Sequence, residues 1–207
     1  MHISEGILSW QMLAAGGVVS VAGTAVGIKM LDQEKVARTG ILSAAFFVAS
    51  LIHIPLGPGS VHLILNGLVG LILGWAAFPA ILIALLLQAI MFQFGGLTTL
   101  GVNTLIMAVP AVACYYFYKL FSRRPLWQFA AGFAGGALAV FFSAILAAAV
   151  LVFSEKSFWQ IAVMIVTAHL PIMIIEGLIT GFAVTFLGKV KPDLLGYPAV
   201  FIRERDL

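Results

Sequence analysis

The chain has 207 residues, of which 62% are hydrophobic in type and 9% are Asp, Glu, Lys or Arg, with a formal charge of +3 and a mean hydropathy of +1.13. A water-facing surface needs about 25% charged residues, so the composition argues against a soluble enzyme or a nucleic-acid binder. The single cysteine, Cys114, excludes a disulfide framework and any CxxC metal site. Length and composition together predict one polytopic all-α membrane domain over residues 1–207, with no room for a second.

A spanning helix needs about 20 apolar residues, and seven candidates follow in chain order. The first runs from about Ile7 to Ile28 without a charge, and the second from Thr39 to about His53. The third runs from Val61 to Trp75 and the fourth from Phe78 to Phe94, with Pro79 tolerated in its first turn. The fifth covers Asn103–Tyr118, with a kink expected at Pro110. The sixth covers Leu126–Phe153 and the seventh Phe158–Leu187, both long enough to tilt.

Basic residues set the predicted orientation. Lys29, Lys35 and Arg38 lie between helices one and two; Lys119, Arg123 and Arg124 lie between five and six; Lys189, Lys191, Arg203 and Arg205 follow helix seven. Lys156 alone falls on the other side. By the positive-inside rule the C-terminus is cytoplasmic and, with an odd helix count, the N-terminus is outside. Merging helices three and four into one would scramble this pattern. The opening M-H-I-S-E-G has no basic n-region and no clear A-x-A site, so Met1 and His2 are expected to stay on the mature chain at the outer face. The simpler reading is a frayed end.

That topology gathers polar groups on the outer face. They come from the turn H-I-P-L-G-P-G-S-V-H (His53–His62), the segment G-G-L-T-T-L-G (Gly95–Gly101) and the Ser154–Ser157 loop. His2, His53 and His62 thus fall on one side. Asn66 follows His62 by one helical turn and is expected on the same helix face. Gln88, Gln93, Thr98, Thr99 and Asn103 add polar groups along helices four and five, where such residues face the bundle or a cavity. Neutral imidazole is a common ligand for nickel, copper, zinc and cobalt ions. The Met1 amine and His2 amide nitrogen can close a five-membered chelate ring, and that amide with His2 Nδ1 a six-membered one. One more imidazole would complete a square of nitrogens, a geometry that favours Ni(II) or Cu(II). The alternative for each histidine is an ordinary satisfied polar residue near an interface.

At these residues the sequence resembles the CbiM/NikM family. The resemblance lies in M-H-I-S-E-G, in H-I-P-x-G-P-G-S-V-H-L-x-L-N-G, in G-G-L-T-T-L-G-V-N-T, and in H-L-P-I-M-I-I-E-G at His169–Gly177. Members are substrate-binding (S) components of nickel and cobalt transporters of the energy-coupling-factor (ECF) type. The resemblance implies an extra N-terminal helix added to a six-helix core. It implies a metal held by the Met1 amine, the His2 amide and imidazole, and His62. His53 is then an outer-sphere or access residue, with Glu5, Asn66, Thr98 and Asn103 as further supporting groups. The transported substrate is Ni(II), with Co(II) as the alternative, and no organic cofactor is expected. The implied partners are a transmembrane coupling (T) protein, cytoplasmic ATPases and a small accessory membrane subunit, in the cell membrane of a prokaryote. The family's toppling motion calls for a smooth docking face, for which Ala45 with Ala49, or Gly177 with Gly181, have the small-residue spacing; internal helix packing is the competing reading.

Other residues stay open. Glu5 reads equally as a partner orienting His2 or as an N-terminal cap of helix one. His169 and Glu176 read as structural, through an ion pair or a hydrogen bond to a neighbouring helix, or as a proton path. A zinc-dependent intramembrane hydrolase would need a general base near the metal, and no H-E-x-x-H is present. A structural membrane subunit without a ligand, non-catalytic, is the remaining rival.

Overall fold

The computed structural model describes residues 2–56, 59–122 and 127–195, with side chains left undescribed over 53–61. It is helical apart from one small hairpin. The helices are α1 (Trp10–Lys29), α2 (Gln33–Ala49), α3 (Asn66–Leu73), α4 (Ala77–Phe92), α5 (Leu100–Phe121), α6 (Gln128–Ser154) and α7 (Trp159–Val190). The hairpin pairs β1 (His53–Leu56) with β2 (Gly59–His62) and sets His53 opposite His62.

Among the described residues, five stretches are long and apolar enough to cross a membrane: α1, Asn66–Phe92, α5, α6 and Lys156–Val190. Their outer faces are apolar, with Val18 and Val21 of α1, Ile90 of α4 and Phe182 of α7 exposed. That surface suits hydrocarbon rather than water. The protein is a multi-pass membrane protein.

The first and the last four predicted helices match the observed elements within a few residues; the second and third do not. The second begins at Gln33 because the Asp32 carboxylate accepts the Lys35 N–H as an N-cap. The hydrogen bonds of that carboxyl with the Lys35 side chain and backbone also hold its pKa below the ordinary 3.8. This helix ends at Ala49, so His53 lies in a strand rather than in the helix. The predicted third helix loses its first turn and more. Val61 and His62 are strand residues, and helix begins only at Asn66. One His62–Asn66 helical face therefore does not exist.

Helix α3 runs alongside α5 in the same direction. Asn66 Nδ2 donates to Met107 O, Gly70 abuts Ala111, and Gly74 abuts Tyr115. The chain then reverses over Gly74–Ala76, a 3₁₀ turn. Gly74 has φ +57, a left-handed conformation open to glycine. From there α4 returns. Its start lies by the end of α1, where Pro79 abuts Gly27. Its far end reaches α2 and the N-terminal segment, through Gln88 with Ser50 and with His2. Thus α3 and α4 are antiparallel although their combined sequence reads as one apolar stretch.

The most extensive helix packing joins α6 and α7. There Gly177 and Gly181 sit against Phe133 and Phe129, so this small-residue pair is internal. The other pair splits, since Ala49 is 4% exposed while Ala45 is exposed. Only Ala45 is available to a partner.

Candidate metal site

The site forms where the segment before α1, the end of β2, the end of α4 and the start of α5 meet. The N-terminal segment is fixed rather than frayed. Ile3 is 5% exposed. Its N–H donates to Asn103 Oδ1 at 3.0 Å, and its carbonyl accepts from Asn103 Nδ2 at 3.0 Å. Asn103 Nδ2 also reaches Thr99 Oγ1 at 3.2 Å. This two-point amide grip holds the peptide next to His2.

The rings of His2 and His62 stack with centroids 4.9 Å apart and planes 29° apart. Hydrogen bonding sets the role of each nitrogen. Ser50 Oγ donates to Phe47 O, and Gln88 Nε2 donates to Ser50 Oγ at 2.8 Å. This turns Gln88 Oε1 toward His2 Nε2, 2.7 Å away. A carbonyl oxygen only accepts, so His2 carries its proton on Nε2 and keeps the lone pair on Nδ1. His62 is 8% exposed, and its Nδ1 lies 2.8 Å from Leu63 O. By the same reasoning the His62 lone pair is on Nε2. Metal-binding histidines are oriented in this way, with the remote nitrogen donating to a carbonyl or carboxylate.

A second grip fixes the strand that carries His62. The Glu176 carboxyl, fully buried on α7, accepts the Ile64 N–H and the Leu65 N–H at the start of α3. Leu65 there has φ +56. Glu176 is thus hydrogen-bonded to a neighbouring element, the backbone at the start of α3, while His169 bonds the Ile165 carbonyl of its own helix.

The remaining predicted residues are placed as follows. Glu5 Oε1 accepts the exposed Thr98 N–H at 3.1 Å, which ties the N-terminal segment to the α4–α5 loop. It does not cap α1, whose N-cap position is Ser9. The acceptor on His2 is Gln88 instead. The backbone of His53 pairs with His62 in the hairpin. Asn66 is buried at the top of α3, donating to Met107 O and Ser143 Oγ, so it braces the helices below the site. Met1 lies outside the described residues. Gln88 and Glu176 are the supporting residues that the sequence did not assign to the site; their partners lie 86 and more than 100 positions away.

The fold defines a multi-pass membrane protein, and the histidine pair, each ring backed by an acceptor on its remote nitrogen, is its candidate metal site. The family model describing the cobalt uptake substrate-specific transmembrane region matches residues 2–194, and the chain belongs to this family, CbiM. A Haemophilus influenzae protein provisionally named a metal transport protein is 46% identical over 202 residues, covering 94% of this chain and 97% of that one. An Archaeoglobus fulgidus protein provisionally named fused nickel transport protein NikMN is 31% identical over 201 residues, covering 94% and 68%. The solved structure of a truncated transition metal transporter superposes with a TM-score of 0.74 at 30% identity, covering 90% of this chain and 98% of that chain. This chain is therefore a nickel/cobalt-type transport component, not an enzyme, of a kind that works in multi-subunit transporters.

Proposed function

We propose that this chain is the substrate-binding component of an ECF-type importer and captures Ni(II) at the outer face of a prokaryotic cell membrane. The Met1 amine, the His2 amide, His2 Nδ1 and His62 Nε2 supply four nitrogens in a plane. The observation that carries this reading is the His2–His62 pair. In such a square the fourth donor lies opposite the His2 amide and next to His2 Nδ1. Adjacent donors about 2.0 Å from a metal are about 2.8 Å apart, so the two rings must be neighbours. Their centroids are 4.9 Å apart, and the lone pairs fall on Nδ1 of His2 and Nε2 of His62.

Seven crossings with the N-terminus outside accord with the α3–α4 reversal and with the clustering of basic residues. A transmembrane coupling protein and cytoplasmic ATPases would drive transport, with the exposed Ala45 face of α2 as one docking surface. Co(II) is the alternative cargo, favoured by the cobalt description of the family model.

The test is nickel loading of the purified protein and of a variant with one extra residue ahead of Met1. The expected result is a yellow, diamagnetic one-to-one complex in the first and its loss in the second. Equal binding in both would remove the N-terminal amine from the site.

A further inference from the structure

Helices α6 and α7 pack through glycine at one end and not at the other. Gly132 abuts Val184 and Gly181, Gly136 abuts Thr180 and the Glu176 carbonyl, and Gly177 and Gly181 abut Phe133 and Phe129. All of these lie in the half of the pair away from the turn at Lys156–Phe158. Nearer that turn, residues 137–154 and 159–176 contain no glycine. Close approach of two helices in lipid depends on such small residues. Where they are missing, a groove of about 380 Å³ opens between the two helices.

The groove is walled by Ala148, Ala149 and Val152 of α6 and by Ala162, Val163 and Val166 of α7. Thr167 also lines it, but its hydroxyl donates to the Val163 and Met164 carbonyls of its own helix and is already satisfied. The lining covers positions 145 to 153 on one helix and 159 to 167 on the other, a rise of about 12 Å on each. That is close to one leaflet, half of the roughly 30 Å hydrocarbon layer, and well short of what a spanning partner helix needs. Its reach therefore fits the acyl chain of a lipid.

The mouth carries the features of a headgroup site. Phe153 and Trp159 line it and are largely exposed. Lys156 lies in the turn that leads into Trp159. It is exposed and makes no ion pair among the described residues. Its neighbour Glu155 accepts the Ser157 hydroxyl at 2.7 Å. A tryptophan sits well at headgroup level, and a lysine there attracts anionic lipid. We propose that this groove binds one anionic phospholipid, with an acyl chain lying between α6 and α7 and the phosphate on Lys156. In the orientation proposed above, the lipid belongs to the outer leaflet.

The test is native mass spectrometry of the delipidated protein in detergent, titrated with dioleoyl phosphatidylglycerol. A single saturable lipid adduct is expected. Ala148→Phe fills the groove and should remove it. Lys156→Gln should weaken it about fivefold, the worth of one cation near an anionic surface. Val21→Phe, on the exposed face of α1, should leave it unchanged. A ladder of adducts with no saturable first step would overturn the proposal. So would undiminished binding by Ala148→Phe, or equally tight binding of dioleoyl phosphatidylcholine. A second arm needs no change in the groove. In a variant that keeps Trp159 alone (Trp10→Phe, Trp75→Phe, Trp127→Phe), placed in phosphatidylcholine vesicles, chain-brominated phosphatidylglycerol should quench the fluorescence more than the same amount of chain-brominated phosphatidylcholine. Equal quenching by the two would refute the site.

Discussion

At the residue scale, the proposed site depends on which nitrogen of each ring carries the proton, and side chains outside the proposed donor set decide this. Gln88 is the clearest case. Ser50 fixes its amide so that the oxygen faces His2. Replacing Gln88 with Leu removes the acceptor and lets the imidazole turn or adopt the other tautomer. Loss of such a supporting group costs about 10–100-fold in metal affinity, and nickel competition against a chelator should show a drop of that size in Gln88→Leu with the helical signal unchanged. The proposed donors stand out in the sequence because an initial Met-His and a histidine beside a Pro-Gly turn have distinctive chemistry. Gln88 was noted only as one of several polar residues, because its partner lies 86 positions away. For Glu5, closeness in sequence offered either His2 or the start of α1, whereas the fold delivers the Thr98 amide to it.

At the element scale, α4 through α7 were legible because long apolar runs between charged or Gly/Pro segments have one stable solution in lipid. The region from His53 to Leu73 was not, because its structure is imposed by partners from distant elements. Its extended backbone, mid-depth in the bundle, would otherwise leave N–H groups unpaired where no water reaches them. Glu176 prevents this. A Glu176→Gln change keeps one oxygen that can accept both amides, so its effect should be small. Glu176→Leu leaves the Ile64 and Leu65 N–H groups unpartnered, at about 1–3 kcal/mol each. Thermal unfolding in detergent should show a clearly lower midpoint for the Leu variant than for Gln. Nickel affinity should fall with it, because the strand that carries His62 loses its anchor.

At the scale of the whole molecule, the alternation of chain direction makes a prediction about sidedness. Seven crossings place the α1–α2 turn and the Glu155–Phe158 turn on opposite sides of the membrane, whereas counting Asn66–Phe92 as one crossing places them together. Met30 and Ser157 are both exposed, and the native Cys114 is buried. In intact cells an impermeant maleimide should label Ser157→Cys and spare Met30→Cys. Labelling of both would remove the α3–α4 reversal from the membrane topology.

That reversal also bears on how the protein is made. Helix α3 has eight residues, about 12 Å of rise, against a hydrocarbon layer of about 30 Å. It cannot partition into the bilayer alone. Asn66–Phe92 taken together is 27 residues long and apolar enough to do so. During biosynthesis, then, α3 enters the bilayer as a passenger of α4 and acquires its own place only when α5 and the carboxyl of α7 arrive. The strand bearing His62 is thus among the last parts to be set, and the proposed metal site is complete only once the C-terminal helix is inserted.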